Sequence, residues 1–226
     1  MEPLWVVIVL LVVAAAGYWQ YRMRKARREA LSAFARQLGL SFEAGYRTQL
    51  PPHGIFQIGH SRKRFNTMTG SVEREGLDLR ITMGDYRYSQ GHGKNRRTFE
   101  MSYAIIELPW MGTPNLLLRR EHMLDKVKSA VGFDDIDFES EEFSRKFWVT
   151  SREKKFAYDV VHPRMMEFLM LRSPPTVDLR RDEICLSDER SKWDPQEFSQ
   201  WLAWGGSFLD LWPEHVTERY TPGRRR

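Results

Sequence analysis

The chain of 226 residues carries 35 Lys and Arg against 30 Asp and Glu, a net charge of +5 that at first suggests nucleic acid. That charge sits at the ends. Setting aside Glu2, the five Lys/Arg between positions 22 and 28 and the three closing arginines leaves 27 basic and 29 acidic residues, a body near neutrality that argues against a nucleic-acid partner. A single cysteine, Cys185, excludes an intrachain disulfide and fits a reducing compartment.

The stretch Pro3 to Tyr21 contains no charge. Nineteen residues at 1.5 Å each give a helix of roughly 28 Å, close to the ~30 Å hydrocarbon core of a bilayer. Trp5 at one end and Tyr18, Trp19 and Tyr21 at the other are the aromatic residues that favour the interface. A cleaved signal peptide carries positive charge ahead of its apolar run, whereas only Glu2 stands there; Ala14 to Ala16 is the one stretch that mimics a cleavage site. The basic collar follows at once, with Arg22, Arg24, Lys25, Arg27 and Arg28. Positive charge after the span and none before it predicts a single-pass membrane protein, N-terminus outside or in the periplasm and C-terminal domain cytoplasmic. The collar is suited to anionic lipid headgroups. The resulting organisation is an anchor over 1–21, a basic collar and helical stalk over 22–39, a soluble domain over 40–213 and a basic, disordered tail over 214–226.

The stalk follows from Ala26, Ala30, Leu31, Phe34, Ala35 and Leu38 at three- and four-residue spacing, with Gly39 as its cap. Leu40 to Ala44 alternates as a short strand, and Tyr46 to Gly54, with Pro51-Pro52, is a loop. Strands are predicted for Ile55 to Gly59, Phe65 to Glu73 and Leu77 to Tyr88, the last two joined by a hairpin turn at Arg74 to Gly76. Ser89 to Arg97 is a glycine-rich basic loop, and Thr98 to Leu108 resumes as a strand antiparallel to the one before it. Asn115 to Leu118 is a strand and Glu121 to Val131 a helix. Phe133 to Glu142 is an acidic segment in which Ile136 and Phe138 alternate, read as a solvated strand, and Phe147 to Val149 is another strand. Short helices follow from Ser151 and from Pro163, then a hairpin of Thr176 to Leu179 and Ile184 to Ser187. Asp194, Pro195 and Glu197 open the last helix, whose core face is Phe198, Trp201, Leu202, Gly205, Phe208, Leu209 and Trp212. Trp204 and Leu211 fall off that face and are candidates for a partner contact. The fold class is α+β: a mostly antiparallel, twisted sheet with helices packed on one side.

Several short patterns bear a family resemblance. Arg64-Phe-Asn66 with Gly70, Asp85-Tyr-Arg-Tyr88 before Gly91-His-Gly-Lys94, Leu108-Pro109, Leu118 to Glu121, Asp135 to Phe138 and Glu142 to Phe147 resemble patterns in an uncharacterised family of bacterial single-pass membrane-anchored proteins. The resemblance covers about Leu38 to Trp212. It implies a bacterial single-pass protein with a small α+β domain, and it implies no activity, so no catalytic residue is carried over.

Candidate sites are few. His92, Lys94, Arg96 and Arg97 crowd the glycine loop, where freed backbone and positive charge suit a phosphate or a lipid headgroup. The loop is not a P-loop: Tyr88 holds the position of the first glycine, Asn95 follows the lysine, and strands rather than a helix flank it. A solvated hairpin tip is the plainer reading. The acidic run Asp134 to Glu142 lacks the EF-hand pattern, and the six histidines lack metal-ligand spacing, so no cofactor is expected. Cys185 with His162 or His215 is formally a nucleophile and base, but a cysteine between Ile184 and Leu186 in a strand reads as structural. The function expected is a binding or interaction domain for a protein or lipid partner at the inner membrane, with homo-oligomerisation open. The alternative is a membrane-tethered enzyme, a hydrolase of a lipid or phosphorylated substrate, built around Asp85, His92 and Lys94.

Overall fold

The computed structural model describes residues 2–74, 77–120, 136–171 and 174–222. Helix α1 spans Glu2–Gln37 without a break. It has the length and hydropathy to cross a membrane. Every side chain from Trp5 to Ala26 is exposed; burial begins only at Arg27 and becomes complete at Leu31, Phe34 and Ala35. The one helix is therefore two objects, an uncovered apolar rod and a stalk whose inner stripe belongs to the core.

Eight antiparallel strands form one sheet in the order β1-β2-β3-β4-β8-β7-β5-β6. They are β1 (Ser41–Glu43), β2 (His60–Arg74), β3 (Leu77–Gln90), β4 (Arg97–Glu107), β5 (Leu116–Arg120), β6 (Phe147–Ser151), β7 (Thr176–Arg180) and β8 (Glu183–Ser187). The long hairpin β2–β3 pairs down to Arg74 and Leu77. The β7–β8 turn uses Arg181 and Asp182, both at positive φ, the two-residue geometry that suits the strand twist.

One face of the sheet holds the main core. Ile81, Met83, Ala104, Ile106, Val177, Leu179, Ile184 and Leu186 meet apolar side chains of α1, α3 (Lys154–Val160), α4 (Pro163–Leu171), α5 (Pro195–Asp210) and α6 (Glu214–Tyr220). Helix α5 packs closely onto the sheet at Gly205. A β-carbon at Gly205 would stand 2.7 Å from Ile106 Cδ1 and 3.0 Å from Leu186 Cδ1. The opposite face holds a smaller core of Tyr86, Tyr88, Met101, Tyr103, Ile105 and Cys185, covered by Ile55, Phe56 and Ile58. Phe56 packs edge-on to both Tyr86 and Tyr103 at 4.9 Å.

Four expectations change. Ile55 to Gly59 is not a strand: Gly54–Gln57 is a 3₁₀ turn, because its apolar residues all point onto the second face rather than alternating. The segment from 214 is not a tail, since α6 buries Val216 and sets Tyr220 against Phe156. Positions 223–226 lie outside the described residues. The acidic run is not a strand where it is described: Ile136 and Phe138 are buried around an exposed Asp137, and Glu141 and Glu142 form the first turn of α2 (Glu141–Lys146), where the helix dipole favours carboxylates. Trp204 is buried, stacked on Phe208 at 5.5 Å and against Phe168 of α4, so it is core rather than a partner contact. The predicted helix at 121–131 and the turn at 75–76 lie outside the described residues.

Replacing Gly205 by valine should lower stability by about 1–3 kcal/mol, since both facing side chains are core and cannot retreat. Replacing Gly206 should cost less, because its nearest obstacle is the movable Arg74 guanidinium. Thermal unfolding of the two variants checks the order.

Candidate functional site

The site begins with a bulge. β2 loses register with β3 between Phe65 and Met68, and Asn66 there has φ of 49°. The bulged carbonyls of Phe65 and Asn66 lie against Gly84, where a β-carbon would come within about 3 Å of both. That close approach turns Asn66 inward, so its amide donates to Asp85 Oδ2 at 2.9 Å.

Asp85 is fully buried in the middle of β3. Its carboxylate also accepts from Ser102 Oγ on β4 at 2.9 Å, from Arg27 Nε at 2.8 Å and from Arg27 Nη2 at 2.6 Å. Arg27 Nη2 donates onward to the carbonyl of Trp193 at 3.0 Å, and Trp193 N donates to Ser102 Oγ at 2.9 Å. A two-pronged guanidinium–carboxylate pair is thus closed into a ring of neutral donors and acceptors that spans the stalk, β2, β3, β4 and the lead-in to α5. Arg27 is withdrawn from the collar. Of the five basic residues expected at a lipid surface, Arg22, Arg24, Lys25 and Arg28 remain exposed.

Beside this clamp, stalk and sheet part to leave a cleft of about 490 Å³. Its apolar wall comes from Met23, Ala26, Ala30, Leu31, Phe65 and Pro195, and its cations from Arg24, Arg28, Arg87 and Lys192. The volume falls within the range of small-molecule sites. Glu100 braces one side, accepting from Arg87 Nε at 2.7 Å and from Lys192 Nζ at 2.6 Å. Burial alone would raise its pKa, but the hydrogen bonds from Lys192 and Arg87 outweigh burial and hold it below the ordinary carboxylate value. The Arg87 guanidinium lies 5.5 Å from the Tyr46 ring and 5.8 Å from that of Phe65.

His92, Lys94, Arg96 and Arg97 are exposed at the tip of the β3–β4 hairpin, around the 3₁₀ turn Gly93–Asn95. Asp85 is not with them. It lies in mid-strand, solvent-inaccessible and saturated by Arg27, Asn66 and Ser102, so the trio of the hydrolase alternative is not assembled. Cys185 is buried on the second face, where burial pushes its thiol well up. His162 and His215 belong to the helical side, bonded to the Leu211 carbonyl and near Asp159. Asn66, Arg87, Glu100, Ser102 and Lys192 carry the site without any motif. Their partners stand 13 to 92 residues away, and no local spacing encodes such pairs.

The fold and the clamp define a class: an antiparallel α+β domain carried on a long N-terminal apolar helix. No family model and no curated protein matches the chain. Among solved structures the chain is similar to the crystal structure of the mycobacterial trehalose monomycolate transport factor A, TtfA, at 11% identity. The similarity covers 82% of this chain and 96% of that one with a TM-score of 0.51, a likeness of fold.

Asp85→Asn should destabilise the full chain by about 3–5 kcal/mol, since it strands the Arg27 charge. The double variant with Arg27→Met should recover part of the loss, and a double-mutant cycle by denaturant unfolding measures the coupling. Glu100 sets an acid limb. Its stabilisation is full above its ordinary value of 4.5 and is lost as pH falls through the lower folded value, so Glu100→Gln should flatten the stability profile on that side of pH 4.5.

Proposed function

We propose that the chain is a membrane-anchored binding domain, facing the cytoplasm, that takes an amphiphile with an anionic headgroup into the cleft between stalk and sheet. The observation that carries this reading is the transfer of Arg27 from the collar to Asp85. That pairing makes the anchor helix itself one wall of the cleft, so a ligand there would lie at the bilayer surface. An apolar rod exposed over Trp5–Val13 has no cover among the described residues, and a lipid phase is the solvent that suits it. Positive charge only on the C-terminal side of the rod supports the orientation.

The lining supports the ligand class. Arg24 and Arg28 make no ion pair among the described residues, and Glu100 offsets only part of the charge of Arg87 and Lys192. The cleft therefore offers net positive charge over an apolar floor, which fits a phosphate or carboxylate headgroup above an acyl chain. TtfA is named a transport factor for trehalose monomycolate, and a binding or transport role for the present chain agrees with that likeness.

Native mass spectrometry of the full chain, extracted with its surrounding lipid, tests the reading. A co-purifying anionic amphiphile is expected, reduced at least tenfold by Ala26→Trp or Ala30→Trp, both of which fill the cleft from the exposed side of the stalk. Equal retention by the filled variants would contradict the assignment.

A further inference from the structure

We infer that the β3–β4 hairpin tip is a second membrane contact, docking on anionic lipid headgroups beside the anchor. This rests on the anchor reading above and adds to it a fixed orientation of the domain.

The direction of the hairpin follows from three levels at which stalk and sheet meet. At the far end, Leu40 lies against Gly70, which pairs with Ile81. In the middle, Arg27 meets Asp85. Nearer the apolar rod, Met23 and Arg24 line the same cleft as Arg87 and Glu100. Moving toward the N-terminus of α1 therefore means moving toward the C-terminal end of β3. From Ile81 to Asp85 the strand advances about 13 Å at ~3.3 Å per residue. From Gln37 back to Arg27 the helix advances about 15 Å at 1.5 Å per residue. The two advance in the same sense. Carried on from Asp85, the strand and its turn reach Gly91 after about 20 Å more, against about 9 Å from Arg27 to Tyr21 and about 14 Å to Tyr18. Even well inclined to the stalk, a strand of that length carries the tip to the level of Tyr18, Trp19 and Tyr21, the aromatic end of the span.

The chemistry of the tip matches that level. Between Tyr86 and Phe99 there is no acidic residue, while Lys94, Arg96 and Arg97 add three cations. Every residue from Gly91 to Thr98 is exposed. His60 fastens the tip, with its Nε2 2.9 Å from the Gly91 carbonyl and its ring stacked 5.0 Å from that of His92. Just behind it, a pocket of about 160 Å³ is lined by Lys63, Arg87 and Arg96 and by the hydroxyl-bearing Ser61, Ser89 and Thr98. Three cations around hydroxyl donors, in a space large enough for an oxyanion, suit a phosphate group. Each Lys or Arg near an anionic surface contributes attraction that falls off within a Debye length. A basic tip at headgroup height would feel it, and one at the other end of the sheet would not.

The test uses the full chain in a Cys185→Ser background, reconstituted in phosphatidylcholine vesicles with or without phosphatidylglycerol. A fluorophore is attached through Asn95→Cys at the tip, or through Arg181→Cys in the β7–β8 turn, which the pairing of Glu107 with Glu183 sets at the opposite end of β4. Quenching by lipids carrying a headgroup nitroxide should be several-fold stronger at position 95 than at 181. It should grow with phosphatidylglycerol and fall to the level of 181 in Lys94→Gln/Arg96→Gln/Arg97→Gln. Equal quenching at both positions, or no dependence on phosphatidylglycerol, would overturn the inference. Vesicle flotation separates the two readings: a chain that does not float refutes the anchor, whereas a chain that floats with an unquenched tip refutes only the docking.

Discussion

The attachment of helix α1 to the sheet depends on one buried charge. Asp85 sits in the centre of the sheet with no access to solvent, and a bare carboxylate there would cost several kcal/mol. Arg27, two-pronged and fixed at 2.8 and 2.6 Å, supplies the counter-charge, and Asn66 and Ser102 fill the remaining acceptor sites. Arg27 belongs to the same unbroken helix as the apolar rod. Satisfying the carboxylate therefore fixes the rod to the sheet. A stalk joined only by apolar contact could rotate or slide; a guanidinium fork that also binds the Trp193 carbonyl has one geometry.

Around this clamp the domain divides its labour. The helical face carries most of the buried apolar surface, and α5 is drawn down until only glycine fits at position 205. The second face is sealed by a short turn instead of a helix, with Phe56 set between Tyr86 and Tyr103. Burial on that face pushes the Tyr103 hydroxyl up to about 12, so it stays neutral. Ligand space remains where neither cover reaches, along the stalk beside the clamp, and there the proposed amphiphile site draws its floor from the core and its charge from the collar.

Much of the architecture is local and so was legible. The rod, the lower part of the stalk stripe at Leu31, Phe34 and Ala35, the hairpin at Arg180 to Glu183 and the capping box of Asp194 and Glu197 are each set by neighbours within a few residues, and each is present as expected, whereas Ala26 and Ala30 of the stripe are exposed. What was not legible depends on distance. Nothing near Asp85 distinguishes a clamp from a catalytic acid; its meaning comes from Arg27, 58 positions earlier. Trp204 lies off the stripe that faces the sheet, yet α5 is covered on a second side by Phe168 of α4, which a one-sided helical pattern cannot foretell. The adjacency of β4 and β8 likewise joins segments some eighty residues apart. The cleft inherits this difficulty, since its cations come from the stalk, β3 and the lead-in to α5.

The central claim is that the Arg27–Asp85 pair holds helix α1 and the sheet as one rigid unit. The most direct measurement is the distance distribution between spin labels introduced by Gln20→Cys on the rod and Arg181→Cys on the far turn, in the full chain with Cys185→Ser, embedded in a bilayer. The account predicts a single narrow distribution that broadens when Asp85→Asn is added. A broad distribution in the chain with Asp85 intact, or a narrow one unchanged by Asp85→Asn, would contradict it.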